Sequence, residues 1–374
     1  MLRLRILSLA FVLLLAPVAT AQTAPRFQLT LEPTAWWFKE SAATIPLVTD
    51  GFLGQAGTHV LLGGDRLDTR TRAGLRLTAS FAWSSRWSVE ASAFFVPSRS
   101  TRRSVASSGT SGSTDLFISY LDARTGTEEI SELSFSPQFA GTAREEQTSR
   151  LFGADLNVAH SLRAGRWRLE GLVGARVLSL HETFAFTTSS PNLPPEPLDV
   201  WETRDEFTTS NRFVGLQAGA RARRAWGSFA VSGSAKVALG VMTQSVRIEG
   251  ALITNDFDNY GATQTFSGGY FAVTGNAGQH SRRVFTVVPE LGLDLGYELS
   301  PSMSISLGYG LLAATDVVRP GRQIDRRIDP TQSLVYGGEP QPGPAAPPSV
   351  RSSFEFQGES FFAQNLHLGL TVRF

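Results

Sequence analysis

Apolar and polar residues alternate with a period of two along most of the patterned stretches of this chain. The clearest stretch is residues 362–374, in which Leu366 and Leu368 share one face and His367 and Arg373 share the other. Successive side chains of a β-strand point to opposite faces, whereas a helix would distribute these residues around its surface. The pattern therefore predicts strands.

Ten stretches show this alternation, and many reach ten or more residues. A strand of a globular protein usually has about five or six residues, whereas a tilted strand that crosses a membrane needs about 9–11. The predicted strands are residues 27–38, 72–83, 87–96, 151–162, 167–180, 213–222, 228–241, 284–299, 303–311 and 362–374. Their lengths favour a transmembrane antiparallel up-and-down β-barrel.

The connections between these strands alternate between short and long. Short turns are predicted at residues 84–86, 163–166, 223–227 and 300–302. Long loops are predicted at residues 40–71, 97–150, 181–212, 242–283 and 312–361. Short periplasmic turns and long extracellular loops are typical of outer-membrane barrels. A barrel of twelve strands is the alternative, if residues 115–139 add a hairpin to the wall.

The two faces of the predicted strands differ in polarity. One face carries no charge through mid-strand and has aromatic residues near the strand ends, which indicates a lipid-facing surface with two aromatic girdles. The other face would line the lumen of a closed barrel, which leaves no strand edge unpaired in lipid. Its candidate pore-lining residues are Arg76, Glu90, Asp155, Arg168, Glu170, Arg176, Arg221, Lys236, Glu290 and Asp294.

Two interpretations of these lumenal charges stay open. They could form a charged constriction that selects solutes. They could instead form a salt-bridge network that fills a narrow barrel. Barrels of about eight strands are filled by side chains and open channels appear at about sixteen, so ten strands lie nearer the filled end.

The first residues of the chain have the pattern of a signal peptide. Arg3 and Arg5 precede an apolar run at residues 6–15, which is too short to span a bilayer, and an A-x-A site ends at Ala21. We expect cleavage before Gln22 and export to the bacterial outer membrane. The predicted organisation is a signal peptide at residues 1–21 and one barrel domain at residues 22–374.

Composition and charge exclude several classes of protein. The 374-residue chain is 42% hydrophobic and 18% charged, has no Cys and carries a net charge of +1. The aromatic content and low charge are unlike a disordered chain, and a nucleic-acid binder would usually be more basic. The absence of Cys removes disulfide scaffolds, cysteine zinc sites and thiol nucleophiles.

The chain offers few candidates for catalysis or metal binding. His59, His181 and His280 lie in or beside the long loops, and the carboxylates that could join them are Asp65, Asp68, Glu182 and Asp316. None has metal-ligand spacing. The calcium-like start at Asp256 has Tyr260 at position five instead of a short oxygen-rich side chain, and Ser267 at position twelve instead of the bidentate Glu. We therefore expect no enzyme activity, no metal and no cofactor.

Four stretches are more specific than a generic barrel requires. They are residues 36–68, with the paired Trp36 and Trp37, and residues 150–157, 281–300 and 317–332. In these stretches, within residues 35–374, the chain resembles the beta-barrel porin family numbered seven, a group of bacterial outer-membrane proteins. The resemblance implies an outer-membrane β-barrel and adds little about transport.

The leading functional expectation is a porin-like pore for passive diffusion of small solutes. The alternative is a closed structural or surface-interaction barrel that acts through its long extracellular loops. The expected partners are outer-membrane lipid, small solutes and the barrel assembly machinery, with no nucleic acid. The terminal strand ends in Phe374, an aromatic end of the kind that the assembly machinery recognises.

Overall fold

The computed structural model describes residues 26–38, 45–64, 71–256, 261–336 and 354–374. The predicted signal peptide, Asp65, Asp68 and residues 257–260 of the calcium-like stretch lie outside these residues. Within the described part of the chain, no helix is long and apolar enough to cross a membrane.

Ten of the described strands, which are numbered β1–β16 in chain order, form a closed antiparallel ring. The wall strands are β1 (Phe27–Phe38), β4 (Arg72–Ala82), β5 (Trp87–Ser107), β8 (Gly141–Ala164), β9 (Trp167–Ser189), β10 (Trp201–Trp226), β11 (Phe229–Thr254), β13 (Gly278–Ser300), β14 (Met303–Val318) and β16 (Gly358–Arg373). Each pairs with the next along the chain, and β1 also pairs with β16, which closes the ring. The prediction of a ten-stranded barrel is confirmed.

The twelve-strand alternative is wrong. The hairpin of β6 (Leu116–Asp122) and β7 (Glu128–Ser134) belongs to a second sheet. Its other members are β2 (Pro46–Thr49), β3 (Val60–Gly63) and β15 (Arg327–Ile328). Leu116, Ile118 and Leu133 of the hairpin are buried in an apolar cluster, so they cannot contribute a lipid-facing surface to the wall.

Several wall strands are much longer than the sequence pattern predicted. Strands β8, β9, β10, β11 and β13 have 23–26 residues and extend far into the regions assigned to long loops. The predicted loops at 97–150, 181–212 and 242–283 are therefore partly strand, which corrects that assignment. Only a short connection at residues 190–200 separates β9 from β10.

The polarity of the two faces inverts along these long strands. On the lower part of β9, Val173 faces lipid and Arg176 faces the lumen, whereas on the upper part His181 faces outward and Phe184 inward. The inversion occurs at the same height on three neighbouring strands. The last outward-facing apolar residues, Val177 of β9, Val214 of β10 and Val241 of β11, pair with one another in register. Above this height the outer face meets water, so the apolar residues turn inward.

The apolar outer band has the height of a membrane. On β10 the outer face is apolar from Val214 to Ala222, and Arg224 lies between this stretch and the girdle residue Trp226. From Val214 to Trp226 the strand rises about 30 Å at 3.4 Å per residue and a tilt of 35–45°. The aromatic residues predicted for the two girdles are all on the exposed outer face: Trp83, Trp87, Trp167, Phe229, Tyr297 and Phe374 toward the short turns, and Phe95 and Phe285 toward the long loops. These aromatic side chains therefore share the outer face of the wall that the alternation assigns to lipid.

The mouth of the barrel has a hydrophobic core of its own. We define the cap as the second sheet together with residues 264–277 and 319–336. Leu47 and Leu116 from the cap sheet pack in one cluster with Phe184, Phe207 and Ile248 from the upper wall strands. The long loops therefore fold inward and form a compact extracellular domain.

Phe374, the residue predicted to act as an assembly signal, is exposed beside the first strand of the wall. Phe374 is 67% exposed, its backbone N–H donates to the Phe27 carbonyl at 2.8 Å, and the two rings lie 5.8 Å apart. We expect deletion of Phe374 to lower the amount of folded barrel in the outer membrane, as measured by heat-modifiable migration on a gel. Conservative replacement by Trp is the control, and unchanged folded yield after deletion would contradict an assembly role.

Candidate functional site: the layered lumen

All ten candidate pore-lining residues lie on strands of the wall with the inward-facing parity of the lumen. The central group contains Arg176, Lys236, Asp155, Glu290 and Arg76. Arg176 donates to Asp155 at 2.9 Å and also bonds Glu290. The Lys236 ammonium lies 3.5 Å from a carboxylate oxygen of each acid, and Arg76 lies 3.3 Å from Glu290. Arg176 is only 3% exposed, so this group is packed rather than solvated.

A second group lies closer to the short turns. The Arg221 guanidinium donates to both carboxylate oxygens of Glu90, at 3.0 and 3.1 Å, and to Glu170 at 3.1 Å. Arg168 contacts Glu170 at 2.9 Å, but its side chain is 57% exposed. Opposite charges therefore pair within this group as well, and only Arg168 extends into open space.

A third group surrounds His367. Its Nε2 lies 2.8 Å from Asp294 and 3.7 Å from Glu32, and its Nδ1 lies 3.0 Å from the Asn365 side-chain oxygen. Gly308 permits this approach, because a Cβ there would collide with both Asp294 and His367. Among the described residues, Glu32, Asp294 and His367 form the one group whose ligand atoms are close enough to hold a metal ion. His367 Nε2 and an Asp294 carboxylate oxygen are already hydrogen-bonded to each other, so a hydrogen-bonded cluster accounts for this geometry.

An apolar layer lies directly above the charges. The next inward-facing residue on β9 after Arg176 is Leu178, which pairs with Phe213, and Phe213 pairs with Met242. Trp36 is fully buried in the same cluster and stacks on Phe94 at 5.2 Å. Parity with Arg176 already places Leu178 on the inward face, but the sequence pattern did not show that Leu178, Phe213 and Met242 meet in one layer.

Buried polar contacts hold the cap against the wall. The Arg319 guanidinium donates to both carboxylate oxygens of Glu182, at 2.7 and 2.8 Å, and both side chains are almost fully buried. Burial disfavours the charge of Arg319, but Glu182 outweighs this effect and raises the pKa of Arg319. The Asn211 side chain exchanges two hydrogen bonds of 2.8 Å with the backbone of Val318. Glu182 therefore has a structural partner and is not a free catalytic base.

A buried carboxylate holds another segment of the cap. Asp205 accepts hydrogen bonds from the backbone N–H groups of Tyr270, Phe271 and Ala272 at 3.1, 3.0 and 2.7 Å. Burial raises the pKa of Asp205 to about 6, while these three donors act in the opposite direction. No local sequence pattern could predict this contact, because the partners lie more than sixty residues apart in the chain.

The candidate histidines of the long loops have separate surroundings. His59 lies 2.9 Å from Asp50 at an exposed turn, and its backbone N–H, followed by its side chain, lowers the pKa of Asp50. The His280 ring stacks on Phe354 with 3.8 Å between centroids, and His181 faces outward from β9. Asp316, the remaining candidate acid, accepts from Gln244 in the barrel interior. The structure does not bring these groups together.

Comparison with known proteins agrees with this architecture. The model of the family described as Putative beta barrel porin-7 matches residues 36–374. The chain belongs to this family. It is therefore a porin-like outer-membrane β-barrel, as the resemblance implied. No curated protein is similar enough to match the chain.

Solved structures with a similar course of the chain include a protease, a channel and a transporter. The outer membrane protease OmpT from Escherichia coli is 10% identical, with 95% of this chain and 99% of that chain covered and a TM-score of 0.41. The TodX deltaS2S3 mutant monoaromatic hydrocarbon channel is 9% identical, with 94% and 91% covered and a TM-score of 0.25. The toluene transporter TbuX from Ralstonia pickettii is 8% identical, with 94% and 90% covered and a TM-score of 0.22. With identities of 10% or less and TM-scores below 0.5, none of these similarities assigns an activity to this chain.

Proposed function

We propose that this porin-family barrel is closed to solutes in the described conformation and acts at the cell surface through its cap. The observation that carries the proposal is the filling of the lumen by two successive layers. The charged layer around Arg176 has paired its charges, and the apolar layer around Trp36 and Phe213 lies directly above it. Water and ions would have to displace both layers in order to pass.

Opening either layer would be energetically costly. Separating a buried ion pair leaves a charge without its partner, which costs about 3–5 kcal/mol. The cap adds a hydrophobic core and the buried Arg319–Glu182 pair at the mouth. A cluster of this kind is typical of a folded domain, so the cap is better suited to presenting a surface than to opening readily.

The cap also offers a place where a small polar ligand could bind. A cleft of about 260 Å³ lies beside the mouth and is lined by Asn276, Gln323, Arg327 and Gln357, among others. Arg327 is already held by Asp325 through contacts of 2.7–3.1 Å, and the buried Asn276 and Gln323 amides bond the backbone of the cap. The exposed side chains of Gln357 and Arg322 are therefore the more adaptable groups of the cleft. The cleft supports a binding role for the cap and does not define the ligand.

Passive diffusion of small solutes is the second candidate. Family membership favours it, and so does the periplasmic half of the lumen, where Ser232, Ser234, Ser306 and Thr371 are small, polar and only half-buried. Such a vestibule admits water up to the charged layer. A pore would require the charged and apolar layers to rearrange. A solute entering from the short turns would first meet Arg373, Glu298 and Arg223, which are paired, and the exposed Arg168.

Conductance in a planar bilayer distinguishes the two candidates. We expect the folded chain to insert without a steady ohmic conductance, and protease protection of the wall strands verifies the insertion. A steady conductance would overturn the closed state and favour the pore. In that case, replacing Arg168 and Arg176 by Gln should shift the reversal potential in a salt gradient toward cations, because two lumenal positive charges are lost.

A further inference from the structure

The outer surface just above the apolar band carries three exposed arginines. Arg212 on β10 and Arg283 on β13 lie at the same height, because both pair with Thr243 of β11. Each is two residues above a lipid-facing residue of the upper edge of the band, Val214 and Phe285 respectively. Arg150 on β8 pairs with His181 one step higher on the same side of the barrel.

These three arginines have no acidic partner among the described residues. The exposed arginines higher on the same wall do have one: Arg102 bonds Glu146, Arg204 bonds Glu206, and Arg247 bonds Glu249. The difference depends on height, since the acidic residues lie above the level of Arg212 and Arg283. The lower three form an uncompensated positive surface at the edge of the lipid-facing band.

The residues between these arginines are small and hydroxylated. Ser179 and Thr243 lie at the height of Arg212, and Ser210, Ser245 and Ser281 lie one step higher on the outer face. Neighbouring strands are about 4.8 Å apart, so the Cα atoms of Arg212 and Arg283, two strands apart, are separated by about 10 Å. Two long side chains at this separation can contact one phosphate from both sides or two phosphates of one headgroup.

The neighbouring histidine reports the same positive environment. Partial burial, followed by the charges of Arg150 and Arg212, lowers the pKa of His181. The Glu182 side chain next in sequence points inward and is held by Arg319. The positive charge on the outer face is therefore not neutralised from inside the wall.

We propose that Arg150, Arg212 and Arg283 bind the phosphate groups of outer-leaflet lipid headgroups. Guanidinium groups form paired hydrogen bonds with phosphate, and hydroxyl groups add further donors. The height of the site favours a lipid over a free anion, because headgroups begin where the apolar band ends. The site is on the outside of the wall, so it does not depend on whether the lumen conducts.

The test compares lipids that differ only in phosphate. The folded full chain is titrated in detergent with diphosphorylated lipid A and with its fully dephosphorylated form, and bound lipid is counted by native mass spectrometry. We expect the phosphorylated lipid to bind more tightly by about tenfold or more, because each of the three arginines attracts an anionic headgroup. Equal binding of the two lipids by the unaltered chain would overturn the proposal.

Matched variants locate the site. Changing Arg150, Arg212 and Arg283 together to Gln should remove the preference for the phosphorylated lipid, whereas changing Arg102, Arg204 and Arg247 to Gln should retain it. Heat-modifiable migration checks that both variants fold. If one variant does not fold, the comparison of the two lipids on the unaltered chain decides whether the proposal holds. Retained preference in the first variant would overturn the assignment. Displacement of the lipid by inorganic phosphate at equal concentration would identify a free-anion site and overturn the lipid assignment.

Discussion

Replacing Arg176 by Met should lower the free energy of unfolding by about 3–5 kcal/mol, the largest loss that we expect from a single lumenal change. Methionine retains much of the side-chain volume but donates no hydrogen bond. The carboxylates of Asp155 and Glu290 would both lose Arg176, their closest cation. Lys236 would remain near both of them, and Arg76 would remain near Glu290. Denaturant titration of the barrel refolded into lipid vesicles measures the change.

The control for this prediction is an ion pair with the same chemistry on the surface. Arg247 and Glu249 have side chains that are 59% and 54% exposed, so Arg247→Met should cost far less than Arg176→Met, because water screens an exposed ion pair. Combining Arg176→Met with Asp155→Asn should recover part of the loss, because one of the unpaired charges is removed. If Arg176→Met costs no more than Arg247→Met, the lumen is hydrated and the filled-lumen proposal fails.

Replacing Leu291 by Arg should destabilise the barrel by about 2–4 kcal/mol, the cost of placing a positive charge near the bilayer midplane. Leu291 is 51% exposed and lies on the outer face of β13, midway between Phe285 and Tyr297 of the two girdles. Its side chain contacts lipid, which cannot solvate a guanidinium group. The free energy of unfolding in vesicles again gives the measurement.

The matched control is the same residue introduced at another depth. Thr243 faces outward from the adjacent strand β11, just above the apolar band, and Thr243→Arg should cost no more than about 1 kcal/mol. Both variants add an arginine to the outer face at different depths, and repulsion from Arg212 and Arg283 at position 243 would act against the expected difference. Equal destabilisation by the two changes would contradict the position of the membrane boundary.

The architecture of the wall could be predicted from the sequence because it depends on local alternation. A strand that separates lipid from a polar interior must sort its residues with period two, and residues 284–299 show this without any knowledge of their neighbours. The ten strands, the two faces and the girdles followed from that rule. The inward direction of all ten lumenal residues followed as well, since parity alone fixes the side of the wall.

Properties that depend on residues far apart in the chain were decided by the tertiary structure. Alternation looks the same in lipid and in water, so the pattern could not show that apolar residues such as Phe184 and Phe207 turn inward above the membrane. Nor could it show that Arg176 meets Glu290, 114 residues away, or that Arg319 closes on Glu182, 137 residues away. Parity determines which side of the wall a residue faces, whereas the closure of the ring determines which opposing residue it meets, and that second fact decides whether the lumen is filled.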